Sequence, residues 1–216
     1  MVTDRLTMVS EHLQGRDIHD QRVLEAFRAV PRELFVPPEW AASAYADEAI
    51  PIGHGQTISQ PYVVALMIQE LDLRPTDRVL DVGAGSGYQT AILARLCEHV
   101  YAIERIEALT ERAVAALSSL NVRNVTFMTG DGTLGWPGET AFNRIICGAA
   151  APDVPPAWID QLVDGGRIVL PIGGADFQTL TSVDKRGKEI GRRNICDVRF
   201  VKLIGRAGWP ELEERV

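Results

Sequence analysis

Residues 79–87 read Val-Leu-Asp-Val-Gly-Ala-Gly-Ser-Gly, and no other stretch constrains the fold as strongly. Val79 to Val82 read as a short buried strand. Gly83, Gly85 and Gly87 follow at alternate positions and supply a turn whose bare backbone a ligand can approach. From Tyr88 to Leu96 the apolar spacing becomes helical, so the glycines lead from a buried strand into a helix N-terminus. Two common phosphate-binding turns are excluded. A dinucleotide fingerprint needs G-x-G-x-x-G, but here the third glycine comes one residue early and Tyr88 stands in the last place. The phosphate loop G-x-x-x-x-G-K-[ST] is absent.

Strand and helix patterns alternate around this turn. Strands are expected near 78–82, 99–104, 124–129, 143–147 and 166–171, with helices near 88–96, 107–120 and 155–163. Such alternation predicts an α/β fold with a doubly wound, mostly parallel sheet. Runs near 178–184 and 195–204 add an antiparallel C-terminal hairpin, making seven strands, and the basic cluster from Lys185 to Arg193 reads as its solvated tip. Ahead of the core, Thr3 or Asp4 can cap a helix reaching about Gly15, and Asp20 a second one ended by Pro31. Residues 31–60 are rich in proline and glycine and read as poor in regular structure, though a long loop in a compact domain is more often functional than idle. Ser59 can cap the next helix, with Pro61 in its first turn. The expected organisation is one compact domain. In it, residues 1–60 (helices and a substrate-side loop) pack on a core of residues 61–216, whose charged tail from Glu211 to Val216 frays.

Two further acids share the position of Asp81 near the end of a strand. Glu104 closes the run from His99, and Asp131-Gly132 follows the run from Val125. Carboxylates at the C-terminal ends of successive strands point to a ligand, because open parallel sheets bind ligands along that edge. The motif D-x-G-x-G-x-G resembles the first motif of S-adenosylmethionine-dependent methyltransferases. For that ligand Asp81 suits the positive methionine end, Glu104 the ribose hydroxyls and Asp131-Gly132 the adenine edge.

Composition narrows the partners. Hydrophobic residues at 46% and charged ones at 24% are ordinary for a soluble domain, and a net charge of -7 argues against a protein that coats nucleic acid. Cys97, Cys147 and Cys196 form no C-x-x-C pair and the four histidines lack metal-ligand spacing, so inert thiols and no metal are expected. Met1-Val-Thr-Asp-Arg lacks the apolar core of a signal peptide, and no run approaches ~18 apolar residues. A cytoplasmic monomer without nucleic-acid or membrane partners is the expectation.

Over roughly residues 30–204 the chain strongly resembles the protein-L-isoaspartate (D-aspartate) O-methyltransferase family. The resemblance rests on Gly55-Gln-Thr-Ile-Ser-Gln-Pro61, Val79 to Gln89, Ile103-Glu104, Gly130-Asp-Gly132, Gly135-Trp-Pro137, Ala149-Ala-Ala-Pro152, Asp160-Gln-Leu162, Gly165-Gly-Arg167 and Pro171-Ile-Gly173. The first of these is the most specific, because it lies outside the shared cofactor core. The resemblance implies S-adenosyl-L-methionine bound by Asp81, Gly83, Gly85, Ser86, Gly87, Glu104, Arg105, Asp131 and Gly132. It implies an active-site serine at Ser59, and substrate contacts at Thr57, Ile58, Ser59 and Val201. The implied reaction is methylation of the free carboxylate of isoaspartyl residues in damaged polypeptides. The ester then closes to a succinimide, whose hydrolysis returns some normal aspartate. Such a carboxylate is already ionised at neutral pH, so alignment rather than a strong base is what the enzyme must supply. Methylation of normal aspartate in a dedicated peptide partner, or of a small molecule, are the alternatives. Two positions depart from the family pattern. Asn143 replaces an aspartate and is expected to weaken a contact near the cofactor edge, and Lys202 replaces a proline on the expected substrate side.

Overall fold

In the computed structural model, residues 1–138, 140–174 and 177–211 are described. Helix α1 (Val2–Thr7) runs on as a π-helical stretch, Met8–Gln14, to Gly15. It begins ahead of both expected caps, and no side chain caps it; the terminal ammonium pairs with Asp4 at 2.8 Å. Asp20 does cap α2 (Gln21–Ala29), accepting from the Arg22 amide at 2.9 Å.

Residues 31–60 hold more structure than their composition suggests. Two 3-10 turns, Arg32–Phe35 and Pro38–Ser43, precede a hairpin of β1 (Ile50–Gly53) and β2 (Gln56–Ile58). His54 and Gly55 form its turn with φ of 54° and 67°, the left-handed pair that matches strand twist. Strand β1 alternates, with Ile50 and Ile52 buried and Pro51 and Gly53 exposed, but over four residues only; Ile50, Ile52 and Ile58 fasten the hairpin to the core. The helix after it, α3 (Pro61–Leu71), has Gln60 at its cap position and no side-chain cap, so Ser59 is not the cap.

The core continues with β3 (Arg78–Val82), α4 (Tyr88–Leu93), β4 (His99–Glu104), α5 (Glu107–Ser119), β5 (Val125–Thr129), β6 (Phe142–Cys147), α6 (Pro156–Gln161), β7 (Leu162–Gly173), β8 (Gln178–Arg186) and β9 (Glu189–Val198). The sheet order is β5-β4-β3-β6-β7-β8-β9, parallel from β5 through β7 and antiparallel at β8 and β9. This is the expected seven-stranded architecture. Helix α6 gives way directly to β7, whose first residues pass an irregularity at Gly165 (φ 75°) before regular pairing resumes at Arg167. Strand β9 stops at Val198 rather than 204. The chain then leaves the sheet and lies over the end of β6, with Ala150 N donating to Val201 O and Leu203 N to Ala150 O, both at 2.8 Å. The expected tail lies outside the described residues after Glu211.

Apolar residues from the N-terminal helices, α3, α4 and α5 fill one side of the sheet, and those around Trp158 of α6 fill the other. Strand order reverses between β3 and its neighbours β4 and β6, the switch point where open sheets leave a crevice.

Candidate active site

The loops after β3, β4 and β6 meet the end of β2 and the segment after β9 at this crevice. A narrow cleft of about 60 Å³ lies among Gly83, Gly85, Glu104, Gly130, Gly132 and Lys202. A second of about 40 Å³ runs past Ser59, Ser86, Tyr88 and Gln89. A broad open cleft of about 610 Å³ is bounded by Asp47, Glu48, Ser59, Gln178, Phe200 and Val201. Thr57 and Gly148 border all three.

Five glycines and one acid, Glu104, are among the residues that line the narrow cleft. Glu104 is only 5% exposed, and its carboxylate accepts from the Gly85 amide at 2.9 Å and the Ile106 amide at 3.0 Å. Two of those glycines leave no room for a side chain. A Cβ on Gly132 would lie 2.5 Å from Val82 Cγ1, and one on Gly148 2.9 Å from Gly83 O. Gly83 and Gly85 adopt φ of 72° and 55°, a left-handed path that glycine takes without strain. Gly87, with φ of 85°, is required for packing as well. Its Cβ would lie 2.8 Å from Ala113 Cβ, so this glycine lets α4 approach α5 and stands outside the cleft walls.

The three strand-end acids are placed differently from one another. Glu104 faces the narrow cleft, whereas Asp81 sits fully buried behind the glycine turn, accepting from Thr90 Oγ1 at 2.6 Å and Gln89 Nε2 at 2.8 Å. Burial, with Glu104 nearby, pushes its carboxyl up to about 6 against the pull of those two bonds. Asp131 turns towards the C-terminal segment. It accepts from Thr133 N at 2.9 Å, Thr133 Oγ1 at 2.6 Å and Arg206 N at 2.8 Å. Burial opposes its ionisation, but those donors hold it below the usual carboxylate range. Its neighbours Gly130 and Gly132 are the parts of the motif that line the cleft. Arg105 borders the same cleft and pairs with Glu211.

On the opposite wall, Ser59 is half-buried between the 40 Å³ and 610 Å³ spaces. Its hydroxyl makes no hydrogen bond within the described residues, while its carbonyl accepts from Arg32 Nη2 at 2.8 Å. Ile58 is buried beside it, and Val201 borders both the narrow and the broad clefts. Sequence reasoning missed Gly148 as a wall, although it directly precedes the Ala149-Ala-Ala-Pro152 motif. Gln178 was also missed, for it carries no motif at all. It holds the segment after β9 by accepting from Phe200 N at 2.7 Å and donating to Phe200 O at 3.1 Å.

Both departures from the family pattern need relocating. Asn143 lies near the start of β6, away from the strand ends that form the clefts, and its Oδ1 still accepts from the Arg78 amide at 2.8 Å. Lys202 borders the narrow cleft rather than the broad one, with Nζ 5.1 Å from the Trp209 ring centroid. Burial pushes the Cys97 and Cys147 thiols up to about 12, which suits inert cysteines. Among the described residues no three His, Cys, Asp or Glu side chains gather as a metal site requires, and no helix is long and apolar enough to cross a membrane.

A family model described as Protein-L-isoaspartate(D-aspartate) O-methyltransferase matches residues 4–208. The chain belongs to this family. Among curated members of the isoaspartate methyltransferase family, that of Dictyoglomus turgidum is 50% identical over 201 residues, covering 93% of this chain and 91% of the relative. The relative from Roseiflexus sp. is 48% identical over 206 residues, covering 95% and 94%. Solved structures agree. A Plasmodium falciparum chain assigned to the same methyltransferase, in complex with S-adenosyl-L-homocysteine, superposes with a TM-score of 0.81 at 27% identity, covering 93% of this chain and 98% of that one. Another protein-L-isoaspartate O-methyltransferase gives 0.84 at 26% identity, covering 96% and 67%.

Proposed function

We propose that the protein transfers a methyl group from S-adenosyl-L-methionine to the free carboxylate of L-isoaspartyl residues in damaged polypeptides. One observation carries this reading. A narrow cleft holding a buried carboxylate meets a broad open one at a shared wall of Thr57 and Gly148, beside the uncommitted hydroxyl of Ser59. The residues fit the cofactor: Glu104 offers a carboxylate to the ribose, and the Gly132 and Gly148 backbones lie where no side chain could stand. When bound, S-adenosylmethionine supplies an electrophilic methyl carbon on a positively charged sulfur.

The protein's own residues have mainly to align and exclude water. A carboxylate of ordinary acidity, with a pKa of about 4, needs no general base at neutral pH, and no histidine borders these three clefts. Ser59 can donate to one oxygen of the substrate carboxylate and leave the other free to attack, without adding a competing anion. Val201 and Thr57 flank the point where the two clefts join. The broad cleft is open enough to admit a polypeptide segment rather than only a small molecule. The resulting ester closes to a succinimide without help, because methoxide is a far better leaving group than hydroxide. The reading takes the protein as a cytoplasmic monomer whose polypeptide partners are transient, in keeping with its ordinary composition and charge of -7.

Incubation with methyl-labelled S-adenosylmethionine and a matched pair of isoaspartyl and aspartyl peptides tests it. Base-labile label on the isoaspartyl peptide alone is expected. Preference for the aspartyl peptide, or none for either, rejects the assignment.

A further inference from the structure

Arg32 has no accessible surface, and no carboxylate among the described residues forms an ion pair with it. Its guanidinium rests instead on main-chain carbonyls. Nε donates to Ala44 O at 2.7 Å, and Nη2 to Ser59 O at 2.8 Å and Glu48 O at 3.5 Å. Cζ lies 4.9 Å from the ring centroid of Tyr88, the first helical residue after the glycine turn, and that ring is gripped by Phe27 and Phe35 at 5.9 and 5.5 Å. Arg32 Nη1 and Tyr88 Oη are both buried without a partner.

An unpaired buried cation is costly to fold around, and an apolar side chain of similar length would fill the space at lower cost. What the guanidinium adds is direction: a rigid planar fork that fixes carbonyls from separate segments in one geometry. Two of those segments, at Glu48 and Ser59, border the broad cleft, and Ser59 and Tyr88 share the 40 Å³ space. Since the Ser59 hydroxyl neither caps α3 nor bonds elsewhere in the described residues, its aim depends on its backbone, and Arg32 holds that backbone.

We propose that Arg32 is a positioning residue of the methyl-transfer site, fixing the main chain at Ser59 over the floor provided by Tyr88. The proposal rests on the role assigned to Ser59 above. Arg32→Lys keeps the charge but replaces the fork by a single ammonium; Arg32→Gln drops the charge and keeps amide donors. Each is checked for folding by circular dichroism and thermal unfolding. Cofactor affinity, kcat and KM for an isoaspartyl peptide are then measured, alone and combined with Ser59→Ala. Cofactor affinity should be retained and kcat should fall by about a hundredfold, the loss that a misplacement of about 1 Å can bring. The double variant should be no slower than Ser59→Ala, because both changes act on one contact. Wild-type kcat in the folded Arg32 variants, losses that multiply in the double variant, or failure of both variants to fold overturns the proposal and leaves the Ser59 reading standing. Wild-type turnover by Ser59→Ala alone overturns that reading, and this proposal with it.

Discussion

Replacing Asp81 by Asn should leave stability nearly unchanged near about pH 4 and raise it at neutral pH. The carboxyl group is fully buried and titrates at about 6, against 3.8 for an exposed aspartate. Between those values the native protein holds a proton that the unfolded chain has released. Stability therefore falls as pH rises through the window and is flat above it. A gap of about two units at about 1.4 kcal/mol each gives a cost of about 3 kcal/mol for the ionised group by pH 7. Asparagine keeps a carbonyl for Gln89 Nε2 and turns its amide to the Thr90 hydroxyl, which can accept as well as donate, so both bonds survive without a charge. Urea unfolding of both proteins from about pH 4 to 8 is the assay. The stability difference should open by about 3 kcal/mol towards pH 7 and stay open. A difference independent of pH would refute the reasoning, because the carboxyl would then hold its proton equally in both states. The same titration bears on function. If the Asp81 charge favours the positive methionine end, wild-type cofactor affinity should strengthen as pH rises through about 6, with no such step in the weaker-binding Asn variant.

Ser59→Ala should leave cofactor affinity and thermal stability nearly intact, since the hydroxyl caps nothing, yet lower methyl transfer by about a hundredfold to a thousandfold, as loss of one positioning donor does; a loss of stability of ~1 kcal/mol with normal turnover would make it a cap after all. Glu104→Ala removes a charged acceptor from the cleft wall and should weaken cofactor binding by roughly tenfold or more, read by calorimetry; unchanged affinity would remove Glu104 from the site. Gly132→Ala drives a methyl against Val82 and should cost about 1–3 kcal/mol in denaturant unfolding while also narrowing the cleft; wild-type stability would show that the β3 end yields freely.

The sheet was legible because its signals are strong and local: short strand-like runs such as Val79 to Val82 and Ile145 to Cys147, each followed by glycine. The β1–β2 hairpin was not, since strands of three and four residues that contain Pro51 and Gly53 are too short for their alternation to stand out. Ends of elements failed where tertiary contacts decide them. Residues 199–204 look like continued strand, but Gln178 and Ala150 draw them across the end of β6 instead. In the site, motif spacing placed Glu104, Gly83 and Gly132 together. It could not tell which carboxylates face the cleft, because Asp81 and Asp131 differ from Glu104 only in what their side chains find nearby, Thr90 and Gln89 in one case, Thr133 and Arg206 in the other. Arg32 was invisible for a related reason: a lone arginine after Pro31 reads as solvated surface until Ala44 and Ser59 are folded onto it.

The repair reading is tested most directly by following the fate of the peptide. An isoaspartyl peptide incubated with the protein and excess S-adenosylmethionine should pass through a methyl ester and a succinimide to its normal aspartyl form, releasing methanol, in amounts exceeding the protein present. An isoaspartyl peptide recovered unchanged, or a stable ester accumulating on the aspartyl form, would contradict the account.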